Sequence, residues 1–234
     1  CVSCALSGSV MPLMALASSL IGAQLAPSPS WATAPIALMI CGTAIAVVPA
    51  TQLMRKLGRK IALFWFMSVG VLGCLIAIVA LQIASFTLFC FASFILGVLS
   101  AALMQGRFAA MESVSEDNHA TAASIVMGGG IIAAFIGPEL AILGRQMSTV
   151  DYQGSFALAI ACIGMSALAL RLYKPAPQTL VAATQTQTPA MVLLANPTFF
   201  LALSSGAIAY VIMSFVMTGT PISMHHFHGH SLLD

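Results

Sequence analysis

Thr51-Gln52-Leu53-Met54-Arg55-Lys56-Leu57-Gly58-Arg59-Lys60 puts four cations into six positions between two long apolar runs. It is the only basic run in the chain, and the remaining organisation is read outward from it. The runs on either side, residues 33–54 and 61–82, are each long enough to cross a hydrocarbon core of about 30 Å, and Leu57-Gly58 between them is turn chemistry. A short, strongly basic connection between two such runs marks one side of a membrane.

Composition supports the same class. Hydrophobic residues make up 60% of the 234 and charged residues 6%, with a mean hydropathy of +1.03, far beyond what a water-soluble core of this length requires. Seven spans can be placed, at 2–25, 33–54, 61–82, 86–111, 121–143, 155–172 and 198–220, giving an all-α integral membrane fold. Pro27-Ser28-Pro29-Ser30 and Asp151-Tyr152-Gln153-Gly154 supply further turns. The one long connection, 173–197, is polar and carries Pro175, Pro177 and Pro189, the composition of a flexible spacer. The expected division is a six-helix bundle at 1–172, a linker at 173–197, and at 198–234 one further helix with an outer loop. Cys1 stands in an apolar run with no initiator Met or charged leader before it, which reads as a truncated start, and the end reads as truncated too. The six cysteines are scattered through apolar segments, as small hydrophobes rather than a disulfide framework.

Lys and Arg are distributed unevenly. Arg55, Lys56, Arg59, Lys60, Arg171 and Lys174 fall on one side of the spans and Arg145 on the other. The positive-inside rule makes the first side cytoplasmic, so the N-terminus and the linker are expected inside and the tail after the seventh span outside. A net charge of +2 with no longer basic run argues against nucleic acid as a partner. Membrane lipid is the expected surroundings.

Ionisable residues within spans are costly and are functional candidates by default. Arg107 and Glu112 stand near the inner end of the fourth span, as braces of the bundle or as gating or solute contacts. Glu139 follows Gly137-Pro138 in the fifth, where proline frees a carbonyl and bends the helix. A carboxylate in such surroundings suits proton coupling, and a position facing the outer water layer is the plain alternative. His119, beside Glu116 and Asp117, reads as solvated.

The seventh span carries the soft-donor chemistry. Met213 and Met217, four apart, project from one helix face and could hold monovalent copper. Methionine is common enough here, 14 in the chain, that spacing alone carries little weight. Met224 and the tract His225, His226, His228 and His230 form a compositional metal signal beyond the span. Gly219-Thr220-Pro221 is expected to break the helix just after Met217, and Asn196-Pro197 to cap and open it. Cys1-Val2-Ser3-Cys4 is a lone pair with weak metal spacing.

Taken together these features resemble the major facilitator superfamily: six helices, a long cytoplasmic linker and a seventh helix match its first six-helix bundle plus the start of the second. The run Thr51–Lys60 is similar to the family's inner loop motif, which implies gating roles for Arg55, Gly58 and Arg59. It departs where Thr51 stands for a glycine and Arg55 for an aspartate, so the carboxylate of the family's gating contact is absent. Gly137-Pro138 resembles the family's glycine-proline motif without its trailing glycines. Leu25-Ala26-Pro27, Gln105-Gly106-Arg107-Phe108 and Gly137-Pro138-Glu139-Leu140-Ala141 resemble a narrower branch of bacterial copper importers and riboflavin importers. The copper members are similar in a Met-x-x-x-Met pair in the seventh helix, which falls on Met213 and Met217. If the halves repeat, the first helix is the seventh's counterpart, and Met11 and Met14 there join the expected cavity.

The leading expectation is therefore a secondary transporter in a bacterial cytoplasmic membrane that imports copper by alternating access, with no cofactor. Met213 and Met217 would hold the ion near mid-membrane, and Met224 with the histidines would collect it outside. The alternative is an importer of riboflavin or another small organic solute, for which Tyr210 is a candidate cavity residue. A metal sensor or accessory factor that does not transport is a third reading. An enzyme is not expected, since no nucleophile–base pair, zinc-helix motif or nucleotide loop occurs.

Overall fold

A computed structural model describes residues 6–106, 111, 118–147, 151–171 and 197–227. The described elements are helical: α1 (Val10–Leu25), a short 3-10 turn (Pro29–Trp31), α2 (Ala34–Leu57), α3 (Arg59–Gln82), α4 (Phe86–Met104), α5 (His119–Gln146), α6 (Gln153–Arg171) and α7 (Pro197–Phe227). Seven of them are long and apolar enough to cross a membrane by length and composition. The chain divides into two compact units, Cys1–Ala176 and Pro177–Asp234.

In the first unit, contacts run in a ring: α1 packs on α2, α2 on α4, α4 on α3, α3 on α6, α6 on α5, and α5 back on α1. Without water between helices, such packing rests on close approach and interhelical hydrogen bonds rather than on a hydrophobic drive, so small residues gather at the contacts. The α2–α4 seam shows this. A β-carbon added at Gly42 would collide with the carbonyl of Phe94, and one at Gly97 with the carbonyl of Met39. Between them the Thr43 hydroxyl lies 3.0 Å from both Met39 O and Gly97 O. Ser155 uses the same device, donating to Ala141 O on the neighbouring helix at 2.8 Å, while buried Ser93 donates within α4 to Phe89 O at 2.9 Å. Among the described residues no buried side-chain nitrogen or oxygen lacks a partner. Larger side chains fill what remains, with Phe89 and Phe156 meeting edge to face at 6.0 Å. Cys74, Cys90 and Cys162 are buried free thiols, packing as small hydrophobes. Cys1 and Cys4 lie outside the described residues.

Three expected boundaries move. First, α2 continues to Leu57 and α3 starts at Arg59, so the basic run is the meeting of two helices across Gly58 rather than a loop. Second, α4 ends at Met104 with Gln105 as its cap, and 107–110, within the expected span to 111, lie outside the described residues. Third, α7 does not break after Met217 but runs 31 residues through Gly219 and Pro221 to Phe227. Proline forfeits one hydrogen bond without unwinding the turns around it, so the helix continues past Pro221. At 1.5 Å per residue it is about 46 Å long, more than the roughly 30 Å of a hydrocarbon core.

Candidate functional site

The α2–α3 joint depends on Gly58, whose φ of 82° lies in the left-handed region that a β-carbon disfavours. Arg55 and Lys56 stand exposed in the last turn of α2, where cations suit the helix dipole. Arg59 and Lys60 fall in the first turn of α3, where cations oppose it. Each reaches a neighbouring helix end instead: Arg59 Nη1 donates to Gln105 O at 3.5 Å and Lys60 Nζ to Arg171 O at 2.9 Å. Terminal helix carbonyls have no intrahelical donor, so these two cations tie the ends of α4 and α6 to the start of α3. This places the α2–α3 and α6 ends together at one end of the bundle, and gives Arg59 a bracing contact that the motif alone did not reveal.

On α5 a stripe of small buried residues, Gly129, Ala133, Gly137, Ala141 and Gly144, recurs at helical spacing. Gly137 is the tightest point against α1: a β-carbon there would sit 2.7 Å from Pro12 Cβ and 2.8 Å from Ser9 O. Glu139 is thereby turned to the exposed side of the helix, not enclosed by the bundle. Pro138 lies within the continuous helix.

The opposite end of the bundle holds a cluster that the sequence offered only as a turn. Arg145 Nε lies 3.7 Å from Asp151 Oδ1, and its guanidinium carbon is 5.7 Å from the centre of the Tyr152 ring, within cation–π range. Tyr152 is 2% exposed and holds φ at 65°, an uncommon conformation for a bulky residue. Burial pushes its phenol above the usual tyrosine range, Arg145 pulls it back and Asp151 adds to the rise.

Met14 is fully buried within the first unit, with the Ser18 hydroxyl 3.7 Å from its sulfur, while Met11 is half-buried. In the second unit Tyr210 is exposed and Met213 is 53% exposed on α7, with Met217 one turn on. Because α7 is continuous, Met224 returns to the face of Met213 and Met217, seven residues and about 10 Å beyond the latter. Met224, His225 and His226 belong to the helix rather than to a loop; their side chains and that of Met217, and all of His228 and His230, lie outside the described residues, as do Arg107 and Glu112. Among the described residues no group of three or more His, Cys, Asp or Glu could hold a metal ion.

Phe135, 75% exposed one turn before Glu139, was not singled out from the sequence. Its i, i+4 spacing from the only carboxylate of that span was the available signal.

The family model described as the Major Facilitator Superfamily matches residues 1–233. The riboflavin transporter RfnT of Brucella anthropi is 34% identical over 232 residues, 97% of this chain and 58% of that protein. Two uncharacterized MFS-type transporters of Bacillus subtilis, YddS and YdeG, are 28% and 27% identical over 93% and 92% of the chain. The chain spans 52–58% of the length of these three relatives. No solved structure matches.

Proposed function

The chain belongs to the Major Facilitator Superfamily, and from that premise we propose that the protein carries a small organic solute of the flavin class across a bacterial cytoplasmic membrane by alternating access. The observation that carries this reading is the 34% identity to a riboflavin transporter along 97% of the chain. The fold supplies what such motion needs. A six-helix unit knitted by the Gly42–Gly97 seam and by the Lys60 and Arg59 ties moves as one body, and rocking of such a body about a fixed site is how these transporters work. The basic end of the bundle is then cytoplasmic and the N-terminus inside, with Arg55, Gly58 and Arg59 at the hinge of the inner gate. Arg107 and Glu112 belong to the same inner end by sequence and are gating candidates with them.

Growth of a riboflavin-auxotrophic bacterium expressing the intact protein tests this. Rescue at low external riboflavin, with accumulation of the labelled vitamin, is expected. Absence of both from cells whose membranes contain the protein would overturn the reading.

Copper import is the second reading, favoured by one observation: α7 is continuous through the positions of Met213, Met217 and Met224, which recur at helical spacing, and methionine is a soft-donor residue type.

A further inference from the structure

The turn of α5 from Ala134 to Glu139 has two unlike sides. Toward α1 it is closed by Gly137, with Ala133 and Ala141 buried above and below. Away from α1 it is open, and there Phe135 stands 75% exposed with Glu139 four residues on, neighbours on one helical face. Pro138 has no N–H, so the carbonyl of Ala134, an exposed residue, loses the i+4 amide that would otherwise donate to it. One turn therefore presents an aromatic ring, a carboxylate and a freed carbonyl. All of its polar groups are acceptors.

Glu139 lies six residues inside the end of the span His119–Arg145, about 9 Å of helix rise. Acyl chains are a poor cover for a carboxylate at that depth, since intramembrane acids face cavities or partners rather than lipid. The complement of this turn is a planar ring that also carries hydrogen-bond donors.

We infer that Phe135, Glu139 and the Ala134 carbonyl form a contact point for the transported solute. The solute's ring stacks on Phe135, while an imide N–H or side-chain hydroxyl donates to the Glu139 carboxylate and the Ala134 carbonyl. A flavin with a polyol chain has both features. The inference rests on the flavin reading above and adds the residues of the contact and their division of labour.

Riboflavin is its own probe, because stacking on an aromatic side chain quenches its fluorescence. The intact protein in membrane vesicles is titrated with riboflavin alongside variants. Phe135→Ala and Phe135→Leu are expected to raise Kd about tenfold and to lose most of the quench, because a stacked ring contributes on that order. Phe135→Trp keeps both. Glu139→Gln, which keeps an acceptor oxygen but loses the charge, weakens binding roughly fivefold. Phe91→Ala, which removes another exposed ring, on α4, changes nothing. If the parent binds riboflavin and the α5 variants bind as the parent does, this contact is wrong while the flavin reading stands. If the parent does not bind riboflavin, the flavin reading falls and takes the contact with it. If an aromatic amine cation binds through Phe135 and Glu139 and riboflavin does not compete, the solute class is overturned.

Discussion

Lys60 Nζ donates to the main-chain oxygen of Arg171 across 2.9 Å, joining the first turn of α3 to the last residue of α6. The two residues are 111 apart in sequence, yet both belong to the segments whose cations placed them on one side of the membrane. A lysine at a helix C-terminus meets orphan carbonyls and the negative end of the dipole, typically about 0.3–1 kcal/mol. Lys60→Met should lower the thermal stability of the detergent-solubilised protein by about that amount, and Lys60→Arg should restore it. A Lys60→Met melting curve superimposed on the parent's would show that the contact contributes nothing.

How far the sequence was legible follows from which physics each feature obeys. The seven spans were readable because apolar length is a local property, and the ends fell within a few residues wherever the chain changed character, as at Leu25 and Gln82. Gly58 was readable as a turn, but not as the only residue between two helices, because Arg55, Lys56, Arg59 and Lys60 look like loop until their partners are known. Those partners are main-chain carbonyls at Gln105 and Arg171, which carry no residue-type signal. Gly219 and Pro221 misled for the opposite reason: local propensity argued for a break, and the helix runs through both, since one proline removes a single hydrogen bond. Gly137-Pro138 was noticed as a motif, but its use, letting α1 approach while turning Phe135 and Glu139 outward, required the second helix.

The glycine contacts divide cleanly and can be tested as a pair. Gly97→Ala drives a methyl group into the carbonyl of Met39, whereas Gly128 has nothing within 4 Å of an added β-carbon. Overpacking of backbone against backbone typically costs about 1–3 kcal/mol, so Gly97→Ala should reduce the yield of monodisperse protein and its melting temperature. Gly128→Ala should be neutral or stabilising by about 0.4–1 kcal/mol. Equal behaviour of the two variants would contradict the close α2–α4 seam.

Tyr152 predicts an alkaline effect with a definite sign. Its phenol is held above the usual range first by burial, with Arg145 opposing and Asp151 assisting. The folded state therefore prefers the neutral phenol, and that preference contributes stability in full below the unfolded tyrosine value of about 10. It is lost as pH rises from there through the higher folded value. Tyr152→Phe removes the ionisation, so the gap between parent and variant melting temperatures should change in the variant's favour only above about pH 10. A gap that is constant with pH would contradict this.

The distribution of cations predicts topology. With Lys60 tied to Arg171 and Arg59 to Gln105, one end of the six-helix unit carries the basic residues and the other carries Arg145 with Asp151. A reporter fused at Thr184 should be active only as a cytoplasmic fusion, and one fused after His230 only as an external one. Both reporters on the same side would remove α7 from the spans.

The methionines separate the two solutes. Met213→Leu with Met217→Leu keeps apolar volume and helix propensity on α7 while removing both sulfur donors, so the protein should fold and insert as before. On the flavin reading, the double variant retains riboflavin uptake within about twofold, since an apolar side chain of similar size replaces each thioether. Copper accumulation by cells expressing it then matches cells without the protein, as it does for the parent. On the copper reading the parent raises cellular copper and the double variant abolishes the rise, while replacing His225, His226, His228 and His230 together by Ala weakens uptake chiefly at low external copper. A collecting tract raises local concentration without forming the transport site, so its loss is masked when copper is abundant. Copper accumulation that depends on Met213 and Met217, with riboflavin uptake absent from the parent, would overturn the flavin assignment in favour of the ion.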